Sequence, residues 1–145
     1  MTEEHKHICG SIVFKCIDFR LQNETKRWLS ENNLSGDCDV VSIAGSSKGL
    51  SDDDSAVVRL LMEQLQISHD LHGSKEVVLI HHSDCGQYKK SYNFKDAEEE
   101  KLTQITDMKK SEEIIKKHFP DMSVKKVWAQ MLDSDGKAVD FQIIE

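Results

Sequence analysis

Short apolar runs alternate with longer amphipathic stretches along the chain, and this alternation predicts strands separated by helices. The predicted strands are residues 8–15, 39–43, 76–80, 124–132 and 138–144. The predicted helices are residues 24–33, with Asn23 as the N-cap, residues from about 52 to 71, and one or two helices within about 95–118. The third strand has four apolar residues in a row, Val77 to Ile80, which is typical of a strand covered on both faces.

The predicted order, β-α-β-α-β-α-β-β, indicates an α/β fold with a mainly parallel sheet, helices on both faces and one antiparallel edge strand. The last two strands flank the turn Asp133-Ser134-Asp135-Gly136, and an Asp-Gly pair between strands is a hairpin signal. The chain has one proline, and it has no linker rich in glycine and serine. We therefore expect a single domain over residues 1–145.

Apolar residues recur at spacings of three and four within the long helical stretches, so each stretch is expected to bury one face. The positions expected to face the core are Val57, Leu60, Leu61, Leu65, Leu102, Ile105, Met108 and Ile115. Asp52, Asp53 and Asp54 precede the first of these faces, where negative charge stabilises the positive end of a helix.

Composition and charge exclude several classes of function. Hydrophobic residues make up 38% of the 145, enough for one core, but no aliphatic run is longer than four residues, so no membrane partner is expected. The net charge of −7 makes the chain a poor candidate for nucleic-acid binding. Residues 1–7 are charged and lack the apolar segment of a secretory signal, so a cytoplasmic protein is expected.

Four cysteines, Cys9, Cys16, Cys38 and Cys85, are the most informative feature of the composition. Without an export signal they are expected to stay reduced. Cys9 and Cys38 are expected to pack in the core as small hydrophobic residues. Cys16 and Cys85 lie among polar residues and call for a chemical explanation.

Each of these two cysteines follows a predicted strand. The first strand leads into Cys16-Ile17-Asp18-Phe19-Arg20, and the third leads into His81-His82-Ser83-Asp84-Cys85-Gly86. If the two strands are neighbours, Cys16, His82 and Cys85 meet at the carboxyl edge of the sheet, where α/β folds bind ligands. Two thiolates and one imidazole suit zinc, and three protein ligands leave a fourth position open, as in catalytic sites. His81 is expected to secure the strand end, and Asp84 to cap the following helix.

The two motifs together resemble the zinc motifs of the β-class carbonic anhydrases, a Cys-x-Asp-x-Arg and a His-x-x-Cys-Gly. Cys16, Asp18 and Arg20 match the first motif, and His82, Cys85 and Gly86 match the second. Ile43-Ala44-Gly45 is similar to the family's Asn-Ala-Gly loop, with Ile43 in place of the asparagine. The resemblance implies the strand order 2-1-3-4 with a fifth strand at the edge, one Zn²⁺ per chain, and a homodimer or higher homo-oligomer.

For function, the resemblance implies reversible hydration of CO2 to bicarbonate by zinc-bound hydroxide. Asp18, kept ionised by Arg20, would orient the nucleophile, whereas Asp18 freed from Arg20 would ligate the zinc and block it. Gly86 would donate its N–H to substrate or product. The pocket for a small apolar gas is expected to include Phe19, Ile43, Ala44 and Gly45.

Two alternatives keep the zinc site and change its use. The altered loop from Ser42 to Ser47 is compatible with hydrolysis of a related linear substrate, COS or CS2. The same departures, with the short chain, are compatible with a non-catalytic zinc protein in which Asp18 stays on the metal.

Overall fold

The structure is a computed structural model that describes residues 7–52 and 55–145. In this part of the chain, five strands form one sheet in the order β2-β1-β3-β4-β5. The strands are β1 Ser11–Lys15, β2 Cys38–Ser42, β3 Glu76–His82, β4 Ser123–Met131 and β5 Val139–Ile144. The pairs β1–β2, β1–β3 and β3–β4 are parallel, and β4–β5 is antiparallel. The predicted fold class and strand order are confirmed.

The helices include two that the apolar pattern does not predict. Their bounds are α1 Gln22–Glu31, α2 Lys48–Ser51, α3 Ser55–His72, α4 Gly86–Ser91 and α5 Ala97–His118, with a single 3₁₀ turn, Phe19–Leu21, before α1. Helices α2 and α4 have four and six residues, too few for a periodic pattern to emerge. Helix α1 begins at Gln22, so Asn23 lies inside it and does not cap it. Asp53 and Asp54, expected at the start of α3, lie outside the described residues.

Hydrophobic side chains fill both faces of the sheet. Phe14 and Leu79 contribute to the core under α3 and α5, while Val13 and Val78 contribute to the core under α1. Neighbours such as Val13 and Phe14 are both fully buried because successive strand residues point to opposite faces. Burying a side chain of this size stabilises the fold by roughly 1.5–3 kcal/mol, so each face contributes substantially to stability.

Two leucines expected in the core lie on the surface. Leu60 is 50% exposed and Leu102 is 59% exposed. In α3 the buried stripe runs through Leu61 and Leu65, and Leu60 lies one residue away around the helix. In α5 the inward positions near the N-terminus are polar, because Glu100 and Gln104 point toward the loop after β3. A pattern based on hydrophobicity alone assigns Glu100 and Gln104 to the solvent face.

The hairpin between β4 and β5 is packed against the segment that follows β1. The Asp133 carboxylate accepts hydrogen bonds from the N–H groups of Asp135, Lys137 and Ala138 and so closes the turn. Gly136 has a φ of +72°, and a Cβ atom there would overlap the carbonyl oxygen of Arg20. Only glycine combines that backbone angle with so close an approach. The hairpin therefore supports the polypeptide that carries Arg20.

None of the helices in the described ranges combines the length and apolar character that a membrane crossing requires.

Candidate metal centre

Three potential metal ligands meet at the carboxyl ends of β1 and β3. Cys16 follows β1 directly, His82 is the last residue of β3, and Cys85 immediately precedes α4. All three side chains are buried, and one donor atom from each lies within 4.8 Å of the others. The parallel pairing of β1 with β3 brings the two motifs together, as the sequence predicts.

His82 is oriented for metal binding. Its Nδ1 donates a hydrogen bond to the carbonyl oxygen of Ser83 at 2.6 Å, so the lone pair of the neutral ring is on Nε2. Nε2 is buried and has no hydrogen-bond partner among the residues that the structure describes. An unsatisfied buried nitrogen costs about 1–3 kcal/mol, and a cation would remove that penalty. The imidazole therefore fits a metal ligand whose other nitrogen is anchored by the backbone.

The two thiols influence each other's pKa. The thiol of Cys85 donates to the sulfur of Cys16, which lowers the pKa of Cys16 and, together with burial, raises that of Cys85. Backbone N–H groups also point at the sulfurs, from Gly45 to Cys16 and from Gln87 and Tyr88 to Cys85. Such donors stabilise thiolates, and the thiolate is the form of cysteine that binds a metal ion. The set of two sulfurs and one imidazole nitrogen can hold zinc.

Asp18 lies beside these ligands and is bound by Arg20. Nη2 of Arg20 lies 2.7 Å from Oδ2 of Asp18, Nε lies 3.1 Å from Oδ1, and the Arg20 backbone N–H also donates to Oδ1 at 3.0 Å. These hydrogen bonds outweigh burial and hold the pKa of the Asp18 carboxyl below its usual range. Oδ2 of Asp18 is 4.0 Å from Nε2 of His82, so an ionised carboxylate lies next to the potential ligands.

Asp84 does not cap a helix, contrary to the prediction. The N-cap of α4 is Cys85, and Asp84 has a φ of +56°, which turns its side chain toward Arg20. Its Oδ2 accepts from Nη1 of Arg20 at 2.9 Å, and its carbonyl oxygen accepts from Nη2 at 3.0 Å. Lys89 pairs with the other carboxylate oxygen. Arg20 thus binds both Asp18 and Asp84, and these contacts connect the segment after β1 to the segment after β3.

Glu100 secures the loop that carries Cys85, and the sequence did not indicate this role. Its carboxylate accepts from the backbone N–H of Asp84 at 3.2 Å and of Cys85 at 2.9 Å. Gln104, one turn further along α5, donates to Glu100 and to the carbonyl oxygen of His82, both at 2.9 Å. Both side chains are buried, so α5 holds the backbone at His82 and Cys85, two of the candidate ligands, through polar contacts. The only signal in the sequence is a pair of polar residues four apart on one helix.

His81 secures the end of β3, as predicted. Because Gln104 presents its oxygen, Nδ1 of His81 donates to Gln104 Oε1 at 3.0 Å, and Nε2 accepts from the Ser47 hydroxyl at 2.7 Å. Burial lowers the pKa of His81 to about 4, so the ring is neutral near pH 7. His81 points away from Cys16 and connects β3 to α5 and to the loop before α2.

An open cleft of about 550 Å³ adjoins the three ligands. It is lined by Cys16, Ile17, Asp18, Phe19, Arg20, Ala44, Asp84, Gly86, Gln87 and Lys89. Phe19 lines it at the rim, because 85% of the side chain is exposed. Ile43, which was expected in the pocket, packs against the core instead. A Cβ atom on Gly86 would contact no protein atom within 4 Å, so the space beside this residue is free for a ligand.

The other two cysteines differ from each other. Cys38 is partly buried and packs against the core beneath α1. Cys9 is also partly buried, but it does not belong to the hydrophobic clusters of the described residues, and its sulfur lies 3.4 Å from the Ser74 hydroxyl. The expected core packing is therefore wrong for Cys9.

The fold and the Cys/His cluster together define a candidate metalloprotein of the α/β class. Residues 6–139 match the family described as "Putative carbonic anhydrase", and the chain belongs to this family. An uncharacterized protein of Rickettsia bellii is 31% identical over 133 residues, which cover 88% of this chain and 78% of the relative. An uncharacterized protein of Rickettsia conorii is 30% identical over the same length, which covers 69% of that relative.

Solved structures show the same fold at low sequence identity. The two tetrameric β-carbonic anhydrases of Sordaria macrospora include a chain that is 12% identical, with a TM-score of 0.62 and coverage of 95% of this chain and 81% of that one. The β-carbonic anhydrase CafD of Aspergillus fumigatus is 8% identical, also with a TM-score of 0.62, and covers 97% and 92% of the two chains. At such identities the likeness establishes the fold.

Proposed function

We propose that the chain binds one zinc ion through Cys16, His82 and Cys85 and catalyses the reversible hydration of CO2 to bicarbonate. The observation that carries this proposal is the convergence of three buried donors, one of them Nε2 of His82, which lacks a hydrogen-bond partner within residues 7–52 and 55–145. When bound there, zinc leaves a fourth position for water and lowers the pKa of that water toward neutrality. Membership of the carbonic anhydrase family agrees with this chemistry.

Asp18 supplies the orientation of the attacking water. An ionised carboxylate only accepts hydrogen bonds, so Asp18 fixes one O–H of the water and directs a lone pair toward the substrate carbon. Arg20 keeps Asp18 ionised and, through its bonds to both Oδ1 and Oδ2, restrains it from turning onto the metal. This restraint favours the catalytic role over the non-catalytic one in which Asp18 is a permanent ligand.

The cleft supplies the place for CO2. Ala44 and Phe19 present apolar surface on one side of the three ligands, and Gly86 leaves free volume next to Cys85. The backbone N–H of Gly86, at the start of α4, donates to an oxygen of bicarbonate. The pocket is thus apolar where an uncharged gas enters and has a hydrogen-bond donor where negative charge develops.

A second copy of the chain is the proposed cover for the mouth of the cleft. Ile17 and Phe19 are 58% and 85% exposed beside the site, and such apolar side chains are typical of an interface. The Sordaria macrospora enzymes of this fold are tetrameric. In size-exclusion chromatography with light scattering, a homodimer has twice the 16.6 kDa mass of the chain, and a 16.6 kDa species alone would contradict the proposal.

Cytoplasmic location is proposed on the basis of the thiols. The cysteines form no disulfide and stand as free thiols, two of them as candidate metal ligands. Zinc thiolate sites persist in a reducing compartment because competing disulfides do not form there.

Stopped-flow CO2 hydration with zinc-loaded protein is the test. We expect a rate above buffer that is lost in Cys85→Ser and retained in Cys38→Ser, a matched thiol on β2 far from the ligands. No rate above buffer at alkaline pH with full zinc occupancy would overturn the proposal. Sulfide release from COS is measured in parallel, and a rate above that of CO2 hydration would change the assigned substrate.

A further inference from the structure

A second group of metal-ligating side chains lies at the opposite end of the sheet. Cys9 lies two residues before β1, Asp39 is the second residue of β2, and His72 is the last residue of α3. One donor atom from each lies within 4.8 Å of the others. At about 3.3 Å per strand residue, the seven positions from Cys9 to Cys16 span roughly 23 Å, so this cluster is separate from the candidate metal centre.

Backbone hydrogen bonds hold the three elements together around this cluster. The N–H of Cys9 donates to the carbonyl oxygen of His72 at 3.0 Å, which fastens the segment before β1 to the end of α3. The N–H of Gly10 donates to the carbonyl oxygen of Asp37 at 3.1 Å, which fastens the same segment to the start of β2. The positions of the three donors are therefore set by the fold and not by flexible side chains alone.

A hydrogen bond joins two of the three residues, and the thiol of the third lies 3.4 Å from the Ser11 carbonyl oxygen and from the Ser74 hydroxyl. Nδ1 of His72 lies 2.6 Å from Oδ2 of Asp39. Burial raises the pKa of the Asp39 carboxyl, but hydrogen bonds from His72, Ser68 and Cys9 outweigh this and lower it, and the Cys9 sulfur lies within 4.8 Å of the carboxylate. Thiol, imidazole and carboxylate around one point are the donor types that zinc takes.

The cluster is open to solution on one side. The side chains of Asp39 and His72 are each 33% exposed, so an ion can enter without unfolding the site. Zinc bonds of about 2.0–2.3 Å imply donor separations of about 3.3–3.8 Å in a tetrahedron. The three donors lie within 4.8 Å of one another, and Nδ1 of His72 and Oδ2 of Asp39, now 2.6 Å apart, would separate to admit the ion. Because strand residues alternate, Cys38 points to the other face of β2, away from Asp39.

We propose that Cys9, Asp39 and His72 form a second divalent-metal site, suited to Zn²⁺, with water as the fourth ligand. Cys9 would ligate the ion as the thiolate, so binding displaces the proton of its thiol. The bound ion ties the segment before β1 to β2 and α3, so it stabilises the folded chain. The proposal stands on these contacts alone and does not depend on the proposed function.

Zinc per chain, measured by mass spectrometry after dialysis against buffered zinc, tests the site. We expect Cys9→Ser and His72→Gln each to hold one zinc ion fewer than the unmodified chain. The controls are Cys38→Ser, next to Asp39 on the opposite face, and His69→Gln, about one turn earlier in α3, and both are expected to keep the full content. Equal zinc content in all five proteins would overturn the proposal. The result is the difference in zinc content between each variant and the unmodified chain, so it does not depend on whether the Cys16 centre also holds zinc.

Thermal unfolding provides a readout that activity does not influence. In Cys85→Ser, where the Cys16 centre is disabled, zinc is expected to raise the unfolding midpoint relative to EDTA. The midpoint of the double variant Cys85→Ser/His72→Gln is expected not to respond, and Asp39→Asn replaces His72→Gln if that variant does not fold. An equal zinc response with and without the second substitution would overturn the site.

Discussion

Arg20 holds both carboxylate oxygens of Asp18, with Nη2 at 2.7 Å from Oδ2 and Nε at 3.1 Å from Oδ1. A lysine carries the same charge, but its single ammonium cannot reproduce this forked contact or reach Asp84 at the same time. We expect Arg20→Lys to lower kcat/KM for CO2 hydration by about 10–100-fold, the usual effect of removing the partner of a catalytic group. Zinc content should be unchanged, since Arg20 contacts none of the three ligands.

Arg27→Lys is the matched control for this prediction. Arg27 pairs with Glu24 on the exposed side of α1, and 61% of its side chain is accessible. The substitution is expected to leave kcat/KM within twofold, because exposed pairs of this kind contribute little. If Arg20→Lys behaved like Arg27→Lys, the forked contact would have no part in the reaction.

Two glycines near the candidate site are expected to have different roles: the backbone conformation requires glycine at position 45, whereas glycine at position 86 leaves room for a ligand. Gly45 has a φ of +83°, and a Cβ atom there would lie 2.9 Å from Cγ of Gln87, so Gly45→Ala should destabilise the fold by about 1–2 kcal/mol. Gly86 needs no unusual angle and its Cβ would meet open space, so Gly86→Ala should change stability by only about 0.5 kcal/mol.

Urea unfolding measures the change in stability of both variants. The rate of CO2 hydration shows whether a glycine matters for the substrate pocket as well as for the fold. Gly86→Ala is expected to keep its stability and lose activity, because the added methyl group occupies the space assigned to bicarbonate. A Gly86→Ala variant with full activity would remove Gly86 from the substrate pocket.

The strands and the approach of the three candidate ligands were predictable because both signals are local. Each of the two motifs directly follows an apolar run, and the pairing of β1 with β3 then places Cys16 near His82 and Cys85. The order of the strands required more than local pattern, since it rested on the resemblance to a family. The two Cys/His motifs, through the family that they resemble, therefore carried information about topology.

The supporting residues were not predictable because their partners are backbone groups far away in sequence. Glu100 bonds the N–H of Cys85, fifteen positions earlier, and a hydrophobic pattern assigns such a glutamate to solvent. The same bias placed Leu102 in the core. The residue type and position of Asp84 predict a helix cap, but its partner is Arg20, 64 positions away.

The second cluster was hidden for the same reason. Cys9, Asp39 and His72 lie in three elements, and no spacing between them resembles a metal motif. Only the backbone contacts of the segment before β1 bring the thiol to the carboxylate, which is why packing in the core was the simpler expectation for Cys9.

Glu100→Gln tests the polar support of the Cys85 loop. A glutamine has one acceptor oxygen and one donor amide, so it cannot accept from Asp84, Cys85 and Gln104 as the carboxylate does. We expect a loss of about 1–3 kcal/mol in the free energy of unfolding, the cost of leaving a buried donor unpaired. Urea unfolding measures the loss. Glu113→Gln, on the exposed face of α5, is the control, and equal stability of the two variants would contradict the role of Glu100.

His69 makes the stability of the fold depend on pH. Its Nδ1 lies 2.7 Å from Oδ1 of Asp70 and its Nε2 lies 2.8 Å from Oδ2 of Asp121, and hydrogen bonds to these carboxylates, Asp70 first, raise the pKa of His69. Because the folded chain binds the proton more tightly than the unfolded chain, the contribution is complete below the unfolded pKa of about 6.5. It is lost as the pH rises through the higher folded pKa.

We therefore expect the unmodified chain to exceed His69→Gln in unfolding free energy by more at about pH 5.5 than at about pH 9, since only the protonated ring forms the two ion pairs. Urea unfolding of both proteins at the two pH values measures the difference. His118→Gln is the control, because the ring of His118 bonds the carbonyl oxygen of Ile114 and pairs with none of the carboxylates in the described part of the chain. A difference between the unmodified chain and His69→Gln that is the same at both pH values, or larger at the alkaline one, would show that the two carboxylates do not hold the charged ring.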